Sequence, residues 1–91
     1  MPAQANTWRG YLAWRGTPDG EAFWREMQNR ALRAFHGGAQ RISVNGLHDE
    51  VRRDLKIGSN NTWRPWLADD LVRRYPDLLA VIERRKRRKP T

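Results

Sequence analysis

Asn60, Asn61, Thr62 and Arg64 stand close together in the stretch SNNTWRPW, shortly after Arg52 and Lys56. An asparagine amide can pair with adenine and a guanidinium with guanine, while neighbouring cations hold phosphates. Such a set does recognition chemistry and makes no bonds. Six further cations, Arg84, Arg85, Lys86, Arg87, Arg88 and Lys89, crowd the C-terminus. They supply most of the formal charge of +8, because residues 1 to 83 hold 12 cations against 10 acids. A basic run beside a folded domain attracts nucleic acid first and anionic lipid second; its plainest role is a solvated terminus.

No reacting set accompanies these residues. The chain has no cysteine, and His36 and His48 lack the H-x-x-x-H or H-E-x-x-H spacing of a helical metal site. His36 reads as a cation near a helix C-terminus, and His48 as a residue of an exposed helix face. Glu21, Glu26, Asp49, Asp69 and Asp70 each precede an arginine by four residues, the favoured order for pairs on a helix surface. Their partners would be Arg25, Arg30, Arg53, Arg73 and Arg74, which leaves Arg33, Arg41, Arg52, Lys56, Arg64 and the tail to face phosphate. No Gly-rich phosphate loop or Gly-x-Ser-x-Gly elbow occurs. The expectation is a protein that is not an enzyme and uses neither metal nor cofactor.

The elements that would position the recognition residues are helical. Thr17-Pro18-Asp19 is a start signal, with Phe23, Met27, Ala31, Ala34 and Phe35 at helical spacing until Gly37-Gly38, so a helix is predicted over 18–36. Ser43 would cap a second helix whose apolar face is Val44, Leu47, Val51 and Leu55. Gly58 breaks that pattern. A third helix should begin near Asn61, because Pro65 is tolerated only in a first turn, and end at Pro76. Trp63, Leu67, Leu71 and Tyr75 mark its buried stripe, with Trp66 at the border. Residues 78–89 could form a helix, but a short turn followed by a strand pairing with residues 55–57 is preferred. Before all of this, residues 1–6 read as a loose arm. Thr7 would then cap a short turn gathering Trp8, Tyr11, Leu12 and Trp14 over the core.

From Phe23 onward the chain resembles a group of small, uncharacterised phage and prophage proteins. The likeness rests on FWREMQNRALRAF, RISVNGLHDEVRRDLKI and NNTWRPWLA, which fits the pattern Asn-Asn-x-aromatic-x-Pro-x-x-Ala, and on YPDLLAVIERRKRR. It covers about two thirds of the sequence and implies a phage origin and a helix-turn-helix-like fold, without naming an activity. Where such proteins often carry Arg after that Ala, this chain has Asp69. Weight therefore shifts from the face of the third helix to its first turn and to the tail.

The expected fold is mainly α: a three-helix domain of helix-turn-helix or winged-helix type over 17–83, an aromatic arm over 1–16 and a basic tail over 84–91. Duplex DNA is the expected partner. Asn60, Asn61, Thr62 and Arg64 would approach bases while Arg52, Lys56 and Arg84 to Lys89 hold phosphates. Two other readings compete: a module that docks on a host or phage protein through Trp8, Trp14 and Trp66, and a binder of RNA or single strands. The N-terminus lacks a basic start followed by an apolar run, and no run of about 18 apolar residues occurs, so the expected location is the host bacterial cytoplasm, with no membrane partner.

Overall fold

Thr17 begins the helix on which the other elements pack. Its hydroxyl accepts from the Gly20 amide at 3.0 Å and donates to the Trp14 carbonyl at 2.6 Å, joining the end of one helix to the start of the next. In the computed structural model, which describes residues 7–83, these helices are α1 (Trp8–Arg15) and α2 (Pro18–His36). Thr7 caps α1 through a 3.0 Å bond from the Gly10 amide. The two helices meet so closely that a Cβ on Gly20 would collide with the Trp14 carbonyl, and only glycine admits the approach. Phe23, Met27 and Ala31 give α2 its buried stripe.

The second half of the domain follows from its caps. Strand β1 (Ile42–Ser43) leads directly into α3 (Val44–Leu55), where Ser43 Oγ accepts from the Gly46 amide at 3.1 Å. A 3-10 turn, Asn61–Trp63, then opens α4 (Arg64–Arg74), with Pro65 in the first turn, where its missing N–H deprives no carbonyl. Helix α4 stops at Tyr75, ahead of Pro76. A second 3-10 turn, Pro76–Ala80, brings the chain to β2 (Ile82–Glu83).

The described residues are thus mainly helical, with four α-helices and a two-residue parallel pairing of β1 with β2. The strand expected after the last turn does form, but its partner is residues 42–43, and 55–57 take no part. Ile42 and Ile82 lie opposite each other and are both buried, and Ile42 N–H donates to the Val81 carbonyl at 2.8 Å. Pairing there hides two isoleucines under the helices, whereas Lys56 has turned left-handed and leads the chain away from an extended ladder. A wing, which needs an antiparallel hairpin, is not found among the described residues.

Aromatic rings fill the centre. Trp14 lies 4.8 Å from Trp63 and 5.2 Å, edge-on, from Phe23, and Tyr11 joins them from α1. Tyr11 and Trp63 are both fully buried, so α1 is part of the core that the 17–83 helices share. Polar ties lie around the rings. Arg30 of α2 reaches Glu26 and, across to α3, Asp54, both at 2.9 Å. Asp70 of α4 accepts from Tyr11 at 2.5 Å and from Arg15 at 2.6 Å, anchoring α1. Tyr75 donates to Gln28 at 3.0 Å. No helix among the described residues is long and apolar enough to cross a membrane.

Candidate nucleic-acid interface

Helix α3 ends because Lys56 turns left-handed, with φ 57° and ψ 38°, while its N–H still bonds the Arg52 carbonyl at 2.9 Å. The chain then runs to Asn60, whose Oδ1 accepts from the Thr62 amide at 2.9 Å and whose carbonyl accepts from the Trp63 amide at 2.9 Å. One asparagine therefore starts the 3-10 turn with both its side chain and its backbone. The same bond places one lone pair of Asn60 Oδ1 on the cap and fixes the direction in which the amide faces.

Below the turn sits His48, fully buried, contrary to the exposed position expected for it. Its Nε2 lies 2.9 Å from Ser59 Oγ, and its Nδ1 accepts from Arg64 Nε at 3.3 Å. These bonds fit the neutral ring with its hydrogen on Nε2, an assignment made from the surrounding network. Phe23 of α2 packs against the ring at 5.3 Å. Burial holds the His48 pKa below its usual value; the Asp49 hydrogen bond opposes the shift, and the charges of Arg64 and Arg52 add to it. A signal for this position was present in the sequence. His48 follows Val44 by four residues and precedes Val51 by three, within the apolar stripe of the helix.

Asp49 gathers the cations around the turn. Arg64 Nη2 meets its carboxylate at 2.6 Å and Arg52 Nη2 at 3.7 Å, while Arg52 Nη1 donates to Asn61 Oδ1 at 3.2 Å. Partial desolvation would raise the Asp49 pKa, but the hydrogen bond that His48 Nδ1, 3.4 Å away, donates once it is protonated and the one from Arg64 outweigh it and hold the carboxyl below its usual range. The i to i+4 pairing expected for Asp49 with Arg53 gives way to Arg64 across the turn and Arg52 at i+3, and Asp70 likewise turns to Arg15 across to α1 and Arg73 at i+3. Of the five expected pairs, Glu26 with Arg30 is formed as read. The shortest bond at each acid is tertiary, from Arg64 to Asp49 and from Tyr11 and Arg15 to one oxygen of Asp70.

No protein-family model, curated protein or solved structure matches this chain. Asn61, Thr62 and Lys56 are exposed at the rim of the turn. Arg52 is 41% exposed and Arg64 only 23%, so Arg64 serves chiefly as a brace and Arg52 keeps part of its guanidinium for solvent or a ligand. Trp63 is buried and closed to stacking, and Trp14 is buried with it; Trp66 is half-buried against Trp8 and Tyr11. Arg84 to Lys89 lie outside the described residues. The last described residue, Glu83, pairs with Ser43 at the N-terminus of α3. Among the described residues no three His, Asp or Glu side chains gather as metal ligands.

Proposed function

We propose that the chain is a small, non-catalytic protein that binds duplex DNA with the α3–turn–α4 unit as its helix-turn-helix and residues 84–89 as a phosphate clamp. One observation carries the reading: the turn is braced from inside by His48, Ser59, Asp49 and Arg64, and its rim of Asn61, Thr62 and Lys56 remains exposed. A preorganised rim costs less entropy on binding than a loop that must be ordered first. Asn61 and Thr62 are the base-facing pair in this reading, with Lys56 and Arg52 on phosphate. Arg52 uses one lone pair of Asn61 Oδ1 and orients the amide, whose second lone pair and NH2 are the groups that would pair with adenine.

Titration against duplex DNA, single-stranded DNA and RNA at two salt concentrations tests the proposal. Duplex binding that weakens steeply with salt is expected, since released counterions dominate such affinities. Asn61→Ala and Thr62→Ala should blunt sequence preference by about 1–3 kcal/mol for each good contact. Preference for single strands, or no binding at low salt, would sink it.

A further inference from the structure

A second surface uses none of the rim residues. Trp8 and Leu12 of α1, Trp24 of α2, and Asp70, Arg73 and Arg74 of α4 line an open groove of about 720 Å³. Trp8 is 42% exposed and Leu12 48%, and four residues apart they share one side of α1. Large apolar side chains left together in water mark an interaction site more often than scattered ones do. The charge of the groove is one-sided. Asp70, its acid, is 13% exposed and already accepts from Tyr11, Arg15 and Arg73. Arg15 offsets its charge, and Arg73, 72% exposed, joins exposed Arg74 to make the rim cationic.

We propose that this groove docks an acidic amphipathic segment of another protein, with apolar side chains on Trp8 and Leu12 and carboxylates on Arg73 and Arg74. The rings favour a protein segment over nucleic acid. Stacked bases need an open ring face, but Arg15 covers Trp24 at 4.3 Å, and Trp8 leans on Tyr11 and Trp66 at 5.3 and 5.4 Å. Leu12 adds an aliphatic floor suited to side chains. A second copy fits poorly, because a two-fold interface would face the same cationic rim with itself.

Selection from a displayed library of random peptides on the full-length protein tests this. Enriched peptides should carry Asp and Glu among apolar residues at i, i+3 and i+4 spacing. One selected peptide, measured by fluorescence anisotropy, should bind at least about tenfold more weakly to Leu12→Ser and to Arg74→Glu. Leu12→Ser should leave the thermal melt nearly unchanged, and Arg74→Glu should lower it only by the small cost of an acid in the last turn of α4 and a lost stack on Tyr75. Replacing by lysine only the peptide acid that faces position 74 should recover binding to Arg74→Glu, which a merely misfolded variant could not show. No enrichment, enrichment of basic or uncharged peptides, or indifference to both substitutions would overturn the proposal. So would self-association abolished by Leu12→Ser, or a single-stranded oligonucleotide that competes for the groove.

Discussion

Protonating His48 would add a hydrogen to Nδ1, where Arg64 Nε already donates at 3.3 Å, and would bury a charge beside two arginines that Asp49, 3.4 Å away, offsets only in part. The folded-state pKa is lowered, so the unfolded chain takes up the proton first as pH falls. Stability is therefore full above the unfolded value of 6.5 and declines as pH drops below it toward the folded pKa. Asp49 acts in a lower window. Its stabilisation is present above the unfolded value of 3.8 and is lost as pH falls through the lowered folded pKa. Urea melts between about pH 7.5 and pH 5 should show the decline, and His48→Gln should flatten it. An equally steep decline in the variant would assign the titration elsewhere. Lys56 separates stability from binding at the same turn. Its left-handed backbone disfavours any side chain with a Cβ, so Lys56→Gly should raise stability by about 1 kcal/mol while weakening DNA binding. Lys56→Ala should weaken binding in the same way without the gain. A less stable glycine variant would contradict the role given to this turn.

The elements differ in how they are held. Helix α4 and the turn that opens it present Trp63, Leu67 and Leu71 to the core, and Trp63 packs on Trp14 and Tyr11 of α1. Truncating a large buried ring loses its transfer free energy and leaves a cavity, so Trp63→Ala should cost about 3–5 kcal/mol. Trp66 is half-buried at the border of the same helix and should cost clearly less. Chemical melts of the two variants decide between them, and equal losses would mean the helix sits in another register. The tryptophan spacing was legible in the sequence, since Trp63 is in step with Leu67 and Leu71. The partner of β2 was not, because a two-residue bridge has no periodicity to read and depends on which apolar pair the helices leave uncovered.

At the scale of the whole molecule, charge is unevenly divided along the chain. Residues 84–89 supply six of the 18 cations, so deleting 84–91 should weaken nucleic-acid binding and flatten its salt dependence, by about 0.9 in log–log slope for each phosphate that the tail would otherwise neutralise. The buried cluster of the described residues runs from Tyr11 to Ile82, and a melt of the shortened chain that keeps its midpoint would assign the loss to binding. An unchanged slope would remove the tail from the interface. The helices over 18–36 and from Ser43, the cap at Thr17 and the first-turn position of Pro65 were determined by the sequence alone. Local hydrogen bonding, proline geometry and apolar spacing act within a few residues, and each is written in consecutive letters. Tertiary structure alone decided that Asp49 serves Arg64, that Asp70 anchors Tyr11 and Arg15, and that His48 lies beneath the turn bonded to Ser59. A long side chain takes the partner that brings the most hydrogen bonds out of water, and which partners are within reach is known only once the helices have packed.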